Sequence, residues 1–153
     1  MRRNKTAFVT FFPILPDNMG SSAVINSRFK NWPGDKVLFQ ISHTKKINSK
    51  SIKTIFIKKE TPINKILKLP EIIKKIFNYL KNAKNKTVII EGASWIFYSF
   101  ITLLCLKLLL PNSRIIYISH SIESEIRKKY SNIFIFTLTK ILEKLVFTFS
   151  DLS

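Results

Sequence analysis

The sequence predicts an α/β fold, a parallel sheet flanked by helices. Short β-rich segments alternate with longer helical ones along the whole chain. The first strand candidate is nearly all apolar instead of alternating, as in a strand covered on both faces. The length, 153 residues, fits one domain over 1–153 and leaves little room for a second.

Residues 7–14 read Ala-Phe-Val-Thr-Phe-Phe-Pro-Ile and form the first strand candidate. The turn Pro16-Asp17-Asn18-Met19-Gly20 follows, and Ser21-Ser22 offer a serine N-cap to a helix over 23–29. A second turn at 31–35 leads into a strand over 36–42, which stops at His43. Residues 44–51 are a polar, basic loop before a third strand at 52–57. Over 66–80, Ile72, Ile73, Ile76, Phe77 and Leu80 make one helical stripe, with Lys74, Lys75, Asn78 and Lys81 opposite. A fourth strand at 87–90 closes on Glu91-Gly92. Residues 95–110 form an apolar helix stopped by Pro111, and Cys105 within it reads as an inert core thiol. A fifth strand at 114–119 closes on His120. The helix over 121–130 carries the i,i+4 pairs Glu123/Arg127 and Glu125/Lys129. In the last helix, 134–149, Phe134, Leu138, Ile141, Leu142, Leu145 and Phe149 are expected to share a face. Residues 150–153 look like the start of a sixth strand.

In open parallel sheets the ligand crevice lies at the C-terminal strand ends. Asp17, Asn18, Gly20, His43, Glu91 and His120 all follow strands and are expected along one edge. The loop with Gly20 and Ser21 can present backbone N–H groups to a phosphate, although a strand-to-helix turn needs such residues for its geometry anyway. His120 can donate a hydrogen bond to a sugar hydroxyl or phosphate, or be a satisfied structural histidine. Glu123 falls in a first helical turn, where a carboxylate is favoured by the helix dipole, and Ser121 and Glu123 are both plausible caps. Glu91 can hold sugar hydroxyls, and Gly92 beside it permits close backbone approach.

Composition narrows the chemistry. There is no GxGxxG, no Walker lysine loop, no HExxH and no CxxC, so the dinucleotide, P-loop and common zinc signatures are missing. One cysteine and two histidines give no disulfide scaffold and no ordinary zinc site; no metal or cofactor is expected. Lys plus Arg is 26 against 9 acids, a formal net charge of +17, which suits an anionic partner or reflects a compositional drift toward lysine, isoleucine and asparagine. Residues 1–23 imitate a secretory signal, but Pro13 interrupts the apolar run and a buried first strand explains it better. The uncharged stretch 92–106 is short for a spanning helix and reads as buried or membrane-touching.

Taken together, the Pro-Asp-Asn-Met-Gly-Ser-Ser-Ala loop, the Val-Ile-Ile-Glu-Gly segment, Tyr117-x-x-His120-x-x-Glu123 and the Glu-Lys-Leu-Val…Ser-Asp ending resemble the N-terminal domain of GT-B glycosyltransferases, specifically the family 4 retaining enzymes of cell-surface polysaccharide synthesis. The resemblance runs over residues 7–153. It implies a Rossmann-like acceptor-side half, with the donor nucleotide sugar held mainly by a second half. By the same resemblance, His120 lies near the transferred sugar as the catalytic residue, Gly20 and Ser21 approach the donor diphosphate, and Glu123 supports the acceptor side. Asp17, Asn18 and Glu91 are the remaining expected substrate contacts. The family often has two adjacent glycines where this chain has Gly20-Ser21. The donor half's Glu-x7-Glu element does not occur, so a truncated product, a fragment or one part of a split enzyme is expected, inactive alone.

The expected partners are a nucleotide sugar, a glycan or lipid-linked acceptor, a separate donor-domain polypeptide and an anionic membrane surface. The expected location is the cytoplasm, peripheral on the inner face of the membrane. The alternative is a non-catalytic basic module for anionic membrane or nucleic acid. No nucleic-acid motif is present and the aromatics follow buried patterns, so a nucleic-acid partner is not expected.

Overall fold

A computed structural model describes residues 3–14, 20–43, 49–92 and 94–152. The elements alternate as β1 (Lys5–Thr10), α1 (Gly20–Asn31), β2 (Asp35–Ser42), β3 (Ile52–Phe56), α2 (Pro62–Leu80), β4 (Lys86–Gly92), α3 (Ile96–Leu109), β5 (Ser113–Ser119), α4 (Glu123–Tyr130) and α5 (Ile133–Phe149). The five strands form one parallel sheet in the order β3-β2-β1-β4-β5. The fold is therefore α/β and Rossmann-like, as the alternation predicts. Leu152 adds a parallel bridge to Ile116 beyond β5, where the sequence places the start of a sixth strand.

Helices cover the two faces unequally. α2, α3 and α5 pack against Val9, Phe39, Val88, Ile90 and Ile115 on one face. α1 covers the other with Ile25 and Phe29, against Phe8, Leu38 and Ile89. Each fully buried isoleucine or phenylalanine side chain contributes about 1.5–3 kcal/mol.

Several boundaries differ from the expected ones for identifiable reasons. The first strand ends at Thr10 and not at residue 14. Thr10 Oγ1 donates to the Phe12 carbonyl at 2.9 Å, and the Ile14 N–H goes to the Gln40 side chain at 3.1 Å instead of joining a ladder. The first helix opens at Gly20, so Ser21 and Ser22 lie within it and neither precedes it as a cap. α2 begins a turn earlier than periodicity indicates, because Thr61 caps it, accepting from the Asn64 N–H at 3.2 Å, and Pro62 suits the first helical position.

The buried face of α5 matches the expected one only in part: Leu142 is buried and Leu138 packs against the core. Thr139, Leu142, Glu143 and Val146 face inward, while Phe134 and Ile141 are exposed. That helix is apolar almost all round, so hydrophobicity could not set its phase. Cys105 is a free thiol, half-buried in a groove and not in the core. No helix among the described residues is long and apolar enough to cross a membrane.

Candidate functional site

The sheet reverses its winding between β1 and β4, which makes their C-terminal ends the topological switch point. Glu91 ends β4 there and is fully buried. A carboxylate in such a place must be paired. One Arg28 guanidinium nitrogen donates to both its oxygens, each at 2.7 Å, and His120 Nε2 lies 2.8 Å from Oε2. With the carboxylate accepting, the ring donates from Nε2 and keeps Nδ1 as its other polar atom. The His120 side chain is 15% exposed and Arg28 29%, so the cluster is open at the rim and closed at its base.

Three elements thus meet at one buried carboxylate: the helix after β1, the end of β4 and the residue after β5. Glu91 and His120 are brought together as the strand-end rule predicts. Arg28 was not foreseen. It stands three residues after the buried Ile25, on the flank of the inward face of α1. A cation there, in a chain with a lone carboxylate ending a central strand, was the available signal.

Gly20 and Ser21 open α1, and a Cβ added at Gly20 would meet nothing within 4 Å. Asp17 and Asn18 lie outside the described residues. His43 Nδ1 stands 3.1 Å from Glu60 Oε2, within ion-pair range but not aligned as a hydrogen bond. Gly92 makes a close approach, but to the Tyr117 side chain: a Cβ there would stand 2.2 Å from the tyrosine hydroxyl.

Glu123 has two structural tasks. Its Oε2 accepts from the Ile96 N–H at 2.7 Å, serving the start of α3, and its Oε1 accepts from Arg127 at 3.0 and 3.2 Å. Burial, with a smaller push from Glu143, raises its pKa above the ordinary glutamate value, against the opposing pull of the Ile96 N–H and Arg127. The second expected pair, Glu125 with Lys129, does not form.

Nor do Ser121 or Glu123 cap α4. Glu143 does this from α5, accepting from the Glu123 N–H at 2.9 Å and the Ser124 hydroxyl at 2.6 Å. Glu143→Ala leaves both donors unserved and is expected to cost about 1–3 kcal/mol, read from urea unfolding. A helix-five carboxylate serving the first turn of α4 has no signature in local sequence.

A cavity of about 400 Å³ has a mixed lining that includes Glu60, Lys65, Trp95, Tyr98, Arg127 and Ile135. Lys65 donates to Glu60 at 2.7 Å, and Trp95 stacks on Phe97 with ring centroids 5.1 Å apart. Burial and the nearby Glu123 and Glu60 charges push the Tyr98 phenol upward, so it stays a donor. No group of histidine, cysteine and carboxylate side chains fit to hold a metal occurs among the described residues. No protein-family model, curated protein or solved structure matches the chain.

Proposed function

We propose that the chain is the acceptor-side half of a retaining GT-B glycosyltransferase, moving a sugar from a nucleotide-sugar donor to a glycan or lipid-linked acceptor in cell-surface polysaccharide synthesis. The observation that carries this reading is the Arg28–Glu91–His120 cluster at the switch point. It sits where an open parallel sheet takes its ligand. Glu91 and Arg28 neutralise each other and hold the imidazole by one nitrogen, so they act as positioning residues. His120 is the group left to meet a sugar hydroxyl or a phosphate oxygen, through Nδ1. Positioning and stabilisation of the leaving diphosphate supply most of the rate in such a design. The donor's binding element belongs to a second half.

The test is nucleotide-sugar turnover by the chain joined to, or mixed with, a donor half carrying a Glu-x7-Glu element. His120→Ala is expected to lower that turnover by about a hundredfold or more, with circular dichroism unchanged. Turnover equal to that of the parent protein removes His120 from the reaction. No turnover with any nucleotide sugar overturns the reading itself.

A further inference from the structure

We propose that the outer side of α2 is a docking surface for a bilayer of anionic lipids. The helix buries Leu69, Ile72, Ile73, Ile76 and Leu80 against the sheet. Its N-terminal half carries a second apolar set that faces out, with Ile63 and Leu67 each 69% exposed. Pro70, within the helix, lacks an N–H and forgoes one rung of its ladder on this side.

Two grooves run along this ridge. One, about 540 Å³, lies between α2 and α3 and is walled by Ile66, Pro70, Phe97, Ile101 and Leu109, with Lys74 among its lining. The other, about 560 Å³, lies on the opposite flank toward the end of edge strand β3, where Phe56, Ile57 and Leu67 meet Lys58, Lys59 and Lys68. α3 adds Leu108, 75% exposed. Exposed apolar surface of this extent on one side marks an interaction face.

Charge decides the occupant. Glu71 is taken by Lys68 and Lys75, each at 2.9 Å, and Glu60 by Lys65 at 2.7 Å and His43 at 3.1 Å. Lys58, Lys59 and Lys74 have no carboxylate partner among the described residues. A second copy would bring the same surplus against itself, from a chain of formal charge +17. Nucleic acid would use the lysines and leave the leucines in water. An anionic leaflet offers headgroup phosphates and an apolar interior in one partner. This proposal does not depend on sugar transfer.

The experiment is co-sedimentation of the full chain with vesicles of phosphatidylcholine alone and of phosphatidylcholine mixed with phosphatidylglycerol. The chain is expected to bind the mixed vesicles and leave the neutral ones. Lys58→Gln with Lys59→Gln should weaken that partition by roughly twentyfold, the effect of two lysines near a charged surface. Leu67→Asp should weaken it by about tenfold or more, with an unchanged melting temperature because the side chain is already in water. No binding, equal binding to both vesicles, or either variant binding like the parent overturns the proposal. Self-association that leaves the vesicles free also overturns it, and gives the face to a second copy.

Discussion

Replacing Arg28 with alanine is expected to destabilise the fold by about 3–5 kcal/mol, the usual cost of stranding one member of a buried ion pair. The Glu91 carboxylate is wholly inaccessible, and among the described residues Arg28 supplies its one full positive charge, at 2.7 Å. His120 would remain 2.8 Å away as a hydrogen-bond partner of the carboxylate. Urea unfolding should therefore show a large fall in midpoint. Glu91→Gln placed beside Arg28→Ala should recover more than half of the loss, because the amide is neutral. A midpoint for Arg28→Ala within error of the parent would show that Glu91 is not held as described.

Gly92→Ala is also expected to destabilise the fold, by less. The added methyl would stand 2.2 Å from the Tyr117 hydroxyl oxygen, 2.5 Å from Cζ and 2.7 Å from Cε2. Tyr117 is 3% exposed and packs edge-on against Phe147 at 5.6 Å, so the ring has little room to withdraw. Overpacking of this kind costs about 1–3 kcal/mol. Thermal melting should report a lower transition for Gly92→Ala and a partial recovery with Tyr117→Phe, which removes the hydroxyl but leaves the ring carbons. An unchanged melting temperature would mean that the strand end moves freely, and would weaken any account in which Glu91 is fixed by its neighbours.

The two substitutions also show how far the sequence could be read. Apolar runs located the three inner strands, which are buried on both faces, whereas the edge strands β3 and β5 keep exposed positions and were found from β-rich composition between turns. The rule for ligand crevices then brought Glu91 and His120 to one place without coordinates. What escaped were contacts made by long side chains across the fold. Arg28 reaches from α1 to β4, and Glu143 reaches from α5 to the head of α4. Neither follows from a spacing within one element. Gly92 beside Glu91 predicts room for a ligand, whereas a tyrosine on the next strand occupies that room. α5 misled for another reason: a helix with apolar residues on every side has no stripe to orient it.

The Glu143 contacts carry a consequence for motion. α4, the helix that follows His120, keeps Ser124 as its one buried residue among those whose side chains are described, and it is tethered by the polar grip of α5. Polar tethers of this kind open at less cost than the packed apolar core of the sheet. Breathing of α4 would shift the backbone beside the imidazole while the sheet beneath stays shut, which gives the buried carboxylate a rigid floor and an adjustable wall.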